Sequence, residues 1–243
     1  MRSRRIYIDQ PLRAGETLAL PIETAHYLRK VLRLSDNAEV TLFDGSGFDY
    51  QAKLEYVGKK QLFASVSNAA ATNNESLLDI HLGIGISRGE RMDWVMQKCT
   101  ELGVQKITPM FTERCEVKID AQRLEKRLTH WRGITISACE QSGRSYLPQV
   151  LPAINLAEWI EQSTALHRFI LHPEQSNDAL PRSLNSSEIA LLVGPEGGFE
   201  DSEVNAALEQ GFISIQLGPR ILRTETAPIA AISAMQALWG DFL

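Results

Sequence analysis

Two stretches near the carboxyl end share one three-part form: a short apolar run, a glycine-bearing loop, then a helical stretch. The first is Ile189–Val193 followed by Gly194-Pro195-Glu196-Gly197-Gly198. The second is Phe212–Leu217 followed by Gly218-Pro219-Arg220-Ile221-Leu222-Arg223-Thr224-Glu225-Thr226-Ala227. Apolar runs this short, bounded by turn residues, read as buried strands. Glycine at a strand end lets the backbone approach a ligand with no Cβ in the way. Open α/β sheets bind ligands outside the carboxyl ends of their strands. The pattern therefore predicts two loops side by side at that edge, with Arg223 and Glu225 on the rim of a small-molecule site.

The preceding residues supply the rest of such a sheet. Leu78–Ile86 reads as a strand, Met92–Leu102 as a helix with apolar residues at 92, 95, 96, 99 and 102, and Gly103 as its stop. Lys106–Phe111 predicts a strand, Leu124–Cys139 a helix and Arg168–Leu171 a strand. A helix around Ser202–Gln210 joins the two loop-bearing strands, and Pro228–Leu238 is apolar almost all round, as a buried helix is. Alternating strands and helices imply a mostly parallel sheet covered on both faces. Asn68–Ser76 is small, polar and without periodicity, and reads as a linker. Before it, Thr17–Leu20, Val40–Phe43, Tyr50–Tyr56 and Leu62–Val66 are short strands of a small β-barrel, and Glu23–Arg33 has helical spacing. The expected division is residues 1–72 and 73–243.

Composition narrows the partners only a little. No apolar run reaches the ~20 residues of a membrane span, and the basic start Met1–Arg5 lacks the apolar core of a signal peptide. A cytoplasmic protein with no membrane partner is expected. Cys99, Cys115 and Cys139 have neither metal-ligand nor disulfide spacing, and read as packing residues. His26, His81, His130 and His167 form no ligand set either, so no metal is expected. Net charge is −5, but residues 1–72 hold ten Lys and Arg against eight Asp and Glu, while residues 73–243 hold fifteen against twenty-two. A basic face on an acidic protein is compatible with RNA.

Several short runs carry chemistry. Gly194–Gly198 lacks the Walker spacing, and a dinucleotide fingerprint belongs at a first strand-to-helix turn. Arg223 and Glu225 sit between a buried strand and a buried helix, where a surface ion pair is out of place. Thr224 or Thr226 is positioned to cap the last helix, with Pro228 in its first turn. Ala138-Cys139-Glu140-Gln141-Ser142-Gly143-Arg144 ends a helix in polar groups, read either as a plain helix stop or as part of the site. Arg88-Gly89-Glu90-Arg91 closes a strand on the same edge and offers two guanidinium groups to phosphate. His172 ends another strand beside the proposed loops.

These runs, together with Gln97–Val104, Glu113-Arg114-Cys115 and Leu171-His172-Pro173, resemble the SPOUT class of RNA methyltransferases, and within it the family that methylates N3 of a uridine in bacterial 16S ribosomal RNA. The resemblance spans nearly all of residues 73–243, and residues 1–72 are similar to that family's PUA-like RNA-binding domain. It implies an α/β fold: a C-terminal SPOUT trefoil-knot domain with a mostly parallel sheet, preceded by a small PUA-like β-barrel. The knot follows from the resemblance alone.

The cofactor implied is S-adenosylmethionine. The residues carried over for its pocket are Leu171, His172, Pro173, Val193, Gly194, Pro195, Glu196, Gly197, Gly198, Leu217, Gly218, Ile221, Leu222, Thr226 and Ala227. Arg223 is the expected electrostatic stabiliser of a uracil oxygen, and Glu225 or Glu140 the acceptor of the N3 proton. Arg5, Arg29, Lys30, Arg33, Arg88, Arg91 and Arg144 are expected to hold RNA phosphates. The implied partner is 16S rRNA in the small ribosomal subunit, acted on by a homodimer. The apolar faces of Met92–Leu102 and Pro228–Leu238 suit either that interface or the chain's own core. The alternatives are a related enzyme acting on tRNA or ribose 2′-OH, and a non-catalytic RNA-binding assembly protein.

Overall fold

The computed structural model describes residues 4–58, 61–117, 120–172 and 180–242. The chain forms two compact units. One comprises Met1–Glu75 and Cys139–Leu147, the other Ser76–Ala138 and Pro148–Leu243.

The first unit is built on a five-stranded sheet in the order β1-β3-β4-β5-β2. Its strands are β1 (Arg4–Tyr7), β2 (Thr17–Ala19), β3 (Glu39–Phe43), β4 (Phe48–Val57) and β5 (Gln61–Ala71). β1 runs parallel to β3, and the other pairs are antiparallel. Alternate residues face inward, so Ala52 and Leu54 of β4 pack with Leu62, Ala64 and Val66 of β5 and with Leu28. The segment read as one helix over 23–33 divides into α1 (Ile22–His26) and a π-helical turn, Tyr27–Val31. It ends at Arg33, a non-glycine residue with φ +52°. The expected linker begins as a strand. Asn68–Ala71 continues β5 against Phe48–Gln51 of β4, past a bulge at Gln51/Ala52. Ladder hydrogen bonds need no side-chain periodicity, which is why small polar residues hid the strand.

The second unit is a seven-stranded, wholly parallel sheet ordered β12-β10-β11-β6-β7-β8, with β9 also on β7. In chain order its elements are β6 (Asp79–Gly85), α2 (Arg91–Glu101), β7 (Lys106–Phe111), α3 (Ala121–Ser142), β8 (Gln149–Val150), β9 (Ile154–Asn155), α4 (Leu156–Gln162), β10 (His167–Leu171), β11 (Glu188–Val193), α5 (Asp201–Glu209), β12 (Ile213–Ile215) and α6 (Thr226–Trp239). The last residues of α3 group with the first unit.

Along β11, Ile189, Leu191 and Val193 join one core with α2, α3 and α6, while Ala190 and Leu192 join a second with α4 and α5. A strand buried on both faces has to be apolar throughout, as this one is. The apolar face of α2 (Met92, Val95, Met96, Cys99) and the Ala231, Ile232 and Met235 face of α6 lie in the chain's own core, both elements packing on one sheet face. Gly83 leaves room for the Trp159 indole; a Cβ there would lie 2.8 Å from the ring.

The division expected at 72/73 falls three residues short of the break at Glu75/Ser76. The first compact unit also takes in Cys139–Leu147, which lies within the expected 73–243. Buried ion pairs hold that segment. Arg144, 3% exposed, donates from Nε (3.0 Å) and Nη2 (2.7 Å) to Glu75 Oε2. Arg5 pairs with Asp49 and donates from Nη2 to the Arg144 carbonyl (3.0 Å) and Ser145 Oγ (2.8 Å). Among the described residues no helix is long and apolar enough to cross a membrane.

Candidate functional site

β12 and β11 are not neighbours; β10 lies between them. The two glycine-bearing loops therefore do not sit side by side. They flank the end of β10, where Leu171 pairs with Ile215 and the His172 N–H donates to the Ile215 carbonyl at 3.3 Å. This parallel order brings three predicted segments to one carboxyl edge: Leu171-His172, Val193–Gly198 and Leu217–Ala227. Pro173 lies outside the described residues.

The loop after β11 is a tight turn, closed by Gly198 N–H donating to the Pro195 carbonyl at 2.9 Å. Gly198 has φ +70° and open space where a Cβ would project. Gly218, after β12, has φ +75° and only the Arg220 side chain within 4 Å of its Cβ position. Both leave the main chain approachable, as close backbone contact with a cofactor requires. Beneath the turn, a Cβ on Gly85 would meet Pro195 Cδ at 2.4 Å and its nitrogen at 2.5 Å. Gly85, a glycine inside an apolar strand, is the sequence signal for that close approach.

The start of α6 is set by the Arg223 carbonyl, which accepts from Thr226 and Ala227 N–H, each at 2.8 Å. Glu225 is the N-cap and no side-chain cap bond forms, so neither Thr224 nor Thr226 caps the helix. Thr224 is buried instead. The Arg223 side chain is exposed. Glu225 Oε2 is buried without a hydrogen bond, 3.6 Å from Arg91 Nε. Ile221, predicted to line the pocket, is 87% exposed, a large apolar side chain with nothing of its own unit over it.

Arg91 does not project freely. Its Nη1 donates to Glu196 Oε1 at 2.7 Å, and the same oxygen accepts the Arg88 N–H at 2.8 Å. Burial pushes the Glu196 carboxyl up, but the Arg88 N–H, the Ser87 hydroxyl and the Arg91 charge together hold it below the usual range. Arg88 itself pairs with Glu116, both well exposed.

In the first unit, Glu140 Oε1 accepts the Tyr7 N–H at 3.1 Å, and burial raises its carboxyl above the ordinary value despite that bond and Arg5. Arg144 and Arg5, expected on phosphate, are instead committed to Glu75 and Asp49, because a buried guanidinium needs a partner within the fold. Arg29 stacks 4.2 Å over the Tyr56 ring and donates to the Gly58 carbonyl, while Lys30 and Arg33 are exposed. Cys99 and Cys139 are buried thiols, and burial pushes Cys139 up to about 12, so neither offers a reactive thiolate. Arg114, after β7, bonds Glu200 and the Gly197 carbonyl.

A family profile described as an RNA methyltransferase domain matches residues 73–236, and an RNA methyltransferase PUA domain profile matches residues 20–67. The chain belongs to this RNA methyltransferase family. The ribosomal RNA small subunit methyltransferase E of Buchnera aphidicola is 35% identical over 243 residues, covering 99% of this chain and 98% of the relative. The crystal structure of the methyltransferase E of Neisseria gonorrhoeae, bound to S-adenosylmethionine, is 42% identical with a TM-score of 0.92, covering all of both chains. A Legionella pneumophila protein solved with the same cofactor gives 41% and 0.94, also over the whole of each chain. The fold is thus the SPOUT arrangement with an N-terminal PUA domain, as the methyltransferase motifs implied.

Proposed function

We propose that this RNA methyltransferase uses S-adenosylmethionine to methylate N3 of a uridine in 16S ribosomal RNA of the small subunit. It would act in the cytoplasm as a homodimer. The observation that carries the reading is the convergence of three strand ends, after β10, β11 and β12, on one edge with open glycines at Gly198 and Gly218. Residues Leu171, His172, Val193–Gly198, Leu217, Gly218, Leu222, Thr226 and Ala227 would hold the cofactor chiefly through main-chain groups. Ile221 is exposed for a ligand or a second subunit to cover.

When bound, the cofactor supplies an electrophilic methyl carbon; N3 of uracil displaces the sulfur in line, leaving S-adenosylhomocysteine. The protein holds N3 against that carbon and removes its proton. N3 lies on the pairing edge of the base, so the uridine has to be unpaired or flipped out. Arg223, exposed at the rim, stabilises the charge developing on a uracil oxygen. Glu225 or Glu140 takes the N3 proton. Glu225 brings a buried oxygen with no hydrogen bond, Glu140 a carboxyl whose affinity for protons is raised by burial. Arg29, Lys30, Arg33 and Arg88 are the cations we assign to RNA phosphates.

The deciding experiment incubates the protein with labelled S-adenosylmethionine and small subunits from cells lacking the enzyme, then maps the label by mass spectrometry. A single N3-methyluridine in 16S RNA is expected; no label with cofactor bound would direct the search to another RNA. In the same assay Arg223→Ala should slow transfer by roughly 10²–10³-fold, the loss typical for one oxyanion-stabilising donor. Its cofactor Kd should stay at the wild-type value. Weakened cofactor binding would reassign Arg223 to the pocket.

A further inference from the structure

The turn after β11 is gripped on two sides by arginines from neighbouring strand ends, and neither grip is explained by RNA binding. From the end of β6 come the Arg88 N–H and the Arg91 guanidinium, both on Glu196 Oε1 at 2.8 and 2.7 Å. From the end of β7 comes Arg114, each of whose three guanidinium nitrogens donates a bond. Its Nε and Nη2 donate to the two oxygens of Glu200 at 2.8 and 3.0 Å, and its Nη1 donates to the Gly197 carbonyl at 3.1 Å. The backbone is shaped to admit it, since a Cβ on Gly197 would lie 2.9 Å from Arg114 Cβ. The adjoining Glu113 N–H donates to Glu203, a member of the capping box that starts α5.

We propose that Arg91 and Arg114 are positioning residues for the cofactor, which hold the Pro195–Gly198 turn in its binding shape and do not contact the RNA backbone. The inference rests on the reading that this turn holds S-adenosylmethionine. The turn has one internal bond and two glycines, the residue type with most conformational freedom to lose on ordering. Unrestrained, it would have to be ordered when the cofactor binds, at a direct cost in affinity. A bidentate guanidinium–carboxylate pair is the strong, directional form of ion pair, suited to fixing a loop. Arg114 adds a bond to the turn's own carbonyl. Glu196 takes two donors from one corner, so its ionised form is favoured on geometric grounds and its lowered proton affinity agrees. Arg91 also stands 3.6 Å from Glu225, and so joins the turn to the start of α6.

The test uses the full chain and five variants: Arg91→Gln, Arg114→Gln, Glu196→Gln, Arg114→Lys and the Arg91→Gln/Glu196→Gln double. Calorimetry reads the S-adenosylmethionine Kd, and filter binding to small-subunit RNA across a salt series reads phosphate contacts. Each glutamine variant should raise the cofactor Kd about tenfold, equivalent to ~1.4 kcal/mol, with an unchanged unfolding midpoint. Adding Arg91→Gln to Glu196→Gln should cost less than the sum of the two single changes, because they share the Arg91–Glu196 contact. Arg114→Lys should recover only part of the loss, since lysine has no planar fork. The salt slope for RNA should stay at the wild-type value. An unchanged cofactor Kd with a salt slope reduced by roughly 0.7–0.9 per arginine lost would overturn the proposal and make these residues phosphate contacts. Failure of the wild-type protein to bind S-adenosylmethionine would overturn the functional reading, and the proposal with it.

Discussion

The two units use the same ion pair, arginine with glutamate, in opposite ways. In the first unit Arg144 and Glu75 have side chains 4% and 14% exposed and sit in a network with Arg5, Asp49 and Ser145. In the second, Arg91–Glu196 and Arg114–Glu200 are one-third to one-half exposed and border a turn rather than a core. Water sets the difference. Removing one partner of a buried pair strands the other charge in a poor solvent, whereas an exposed partner is simply rehydrated. The buried network therefore commits the chain to its fold. The exposed pairs contribute little to stability and are available to shape a loop.

The largest effect that would break this contrast is on Arg144. Arg144→Ala leaves Glu75 unpaired and should destabilise the protein by about 3–5 kcal/mol, read as a fall in the denaturant midpoint. A loss below about 1 kcal/mol, the scale of an exposed pair, would erase the distinction.

A smaller effect tests a part-buried group of the second unit that is kept neutral. Burial, with Lys106 nearby, depresses His81 from 6.5 to about 4. Trp159 Nε1 donates to His81 Nε2 at 3.3 Å, and Thr108 Oγ1 lies 2.8 Å from that nitrogen, so protonating it would displace a donor. Between pH 6.5 and 4 the unfolded chain binds a proton that the folded one refuses. Stability is therefore fully present above 6.5 and declines as pH falls towards 4, by roughly 3 kcal/mol at most. Denaturation curves at pH 7 and 5 should show that limb in the wild type and lose its His81 contribution in His81→Asn.

The smallest effect sharpens the other side. Arg88 and Glu116 have side chains 62% and 64% exposed. A double-mutant cycle on the pair should return a coupling of about 0–1 kcal/mol, shrinking with salt.

Much of the second unit is legible in its sequence. Lys106–Phe111 is a strand with the expected ends, and the apolar positions 92, 95, 96 and 99 are core. The glycine loops mark the correct edge of the sheet because only special backbone geometry favours Gly-Gly after an apolar run. What is not legible is set by distant partners. β8 and β9 have two residues each and exist only through pairing with β7. β1 carries Arg4 and Arg5, an unpromising strand until β3 supplies its ladder. The placement of β10 between β11 and β12 is a fact of topology, invisible to periodicity. The grips on the turn join residues some 83 to 108 positions apart. Arg144 reads as a phosphate ligand until Glu75, 69 residues away, is seen to hold it.

The segment Cys139–Leu147 also bears on how such a protein can change over evolutionary time. Because the first unit takes in both Met1–Glu75 and this later stretch, the boundary is crossed at three places along the chain rather than one. A recombination event at either of the first two junctions would separate Met1–Glu75 from its ion-paired insert, and one at the third would cut the second unit in two. No single crossover therefore moves one unit intact without cutting the other, and exchanging the part with the PUA signature would mean rebuilding the Glu75–Arg144 contact from both sides.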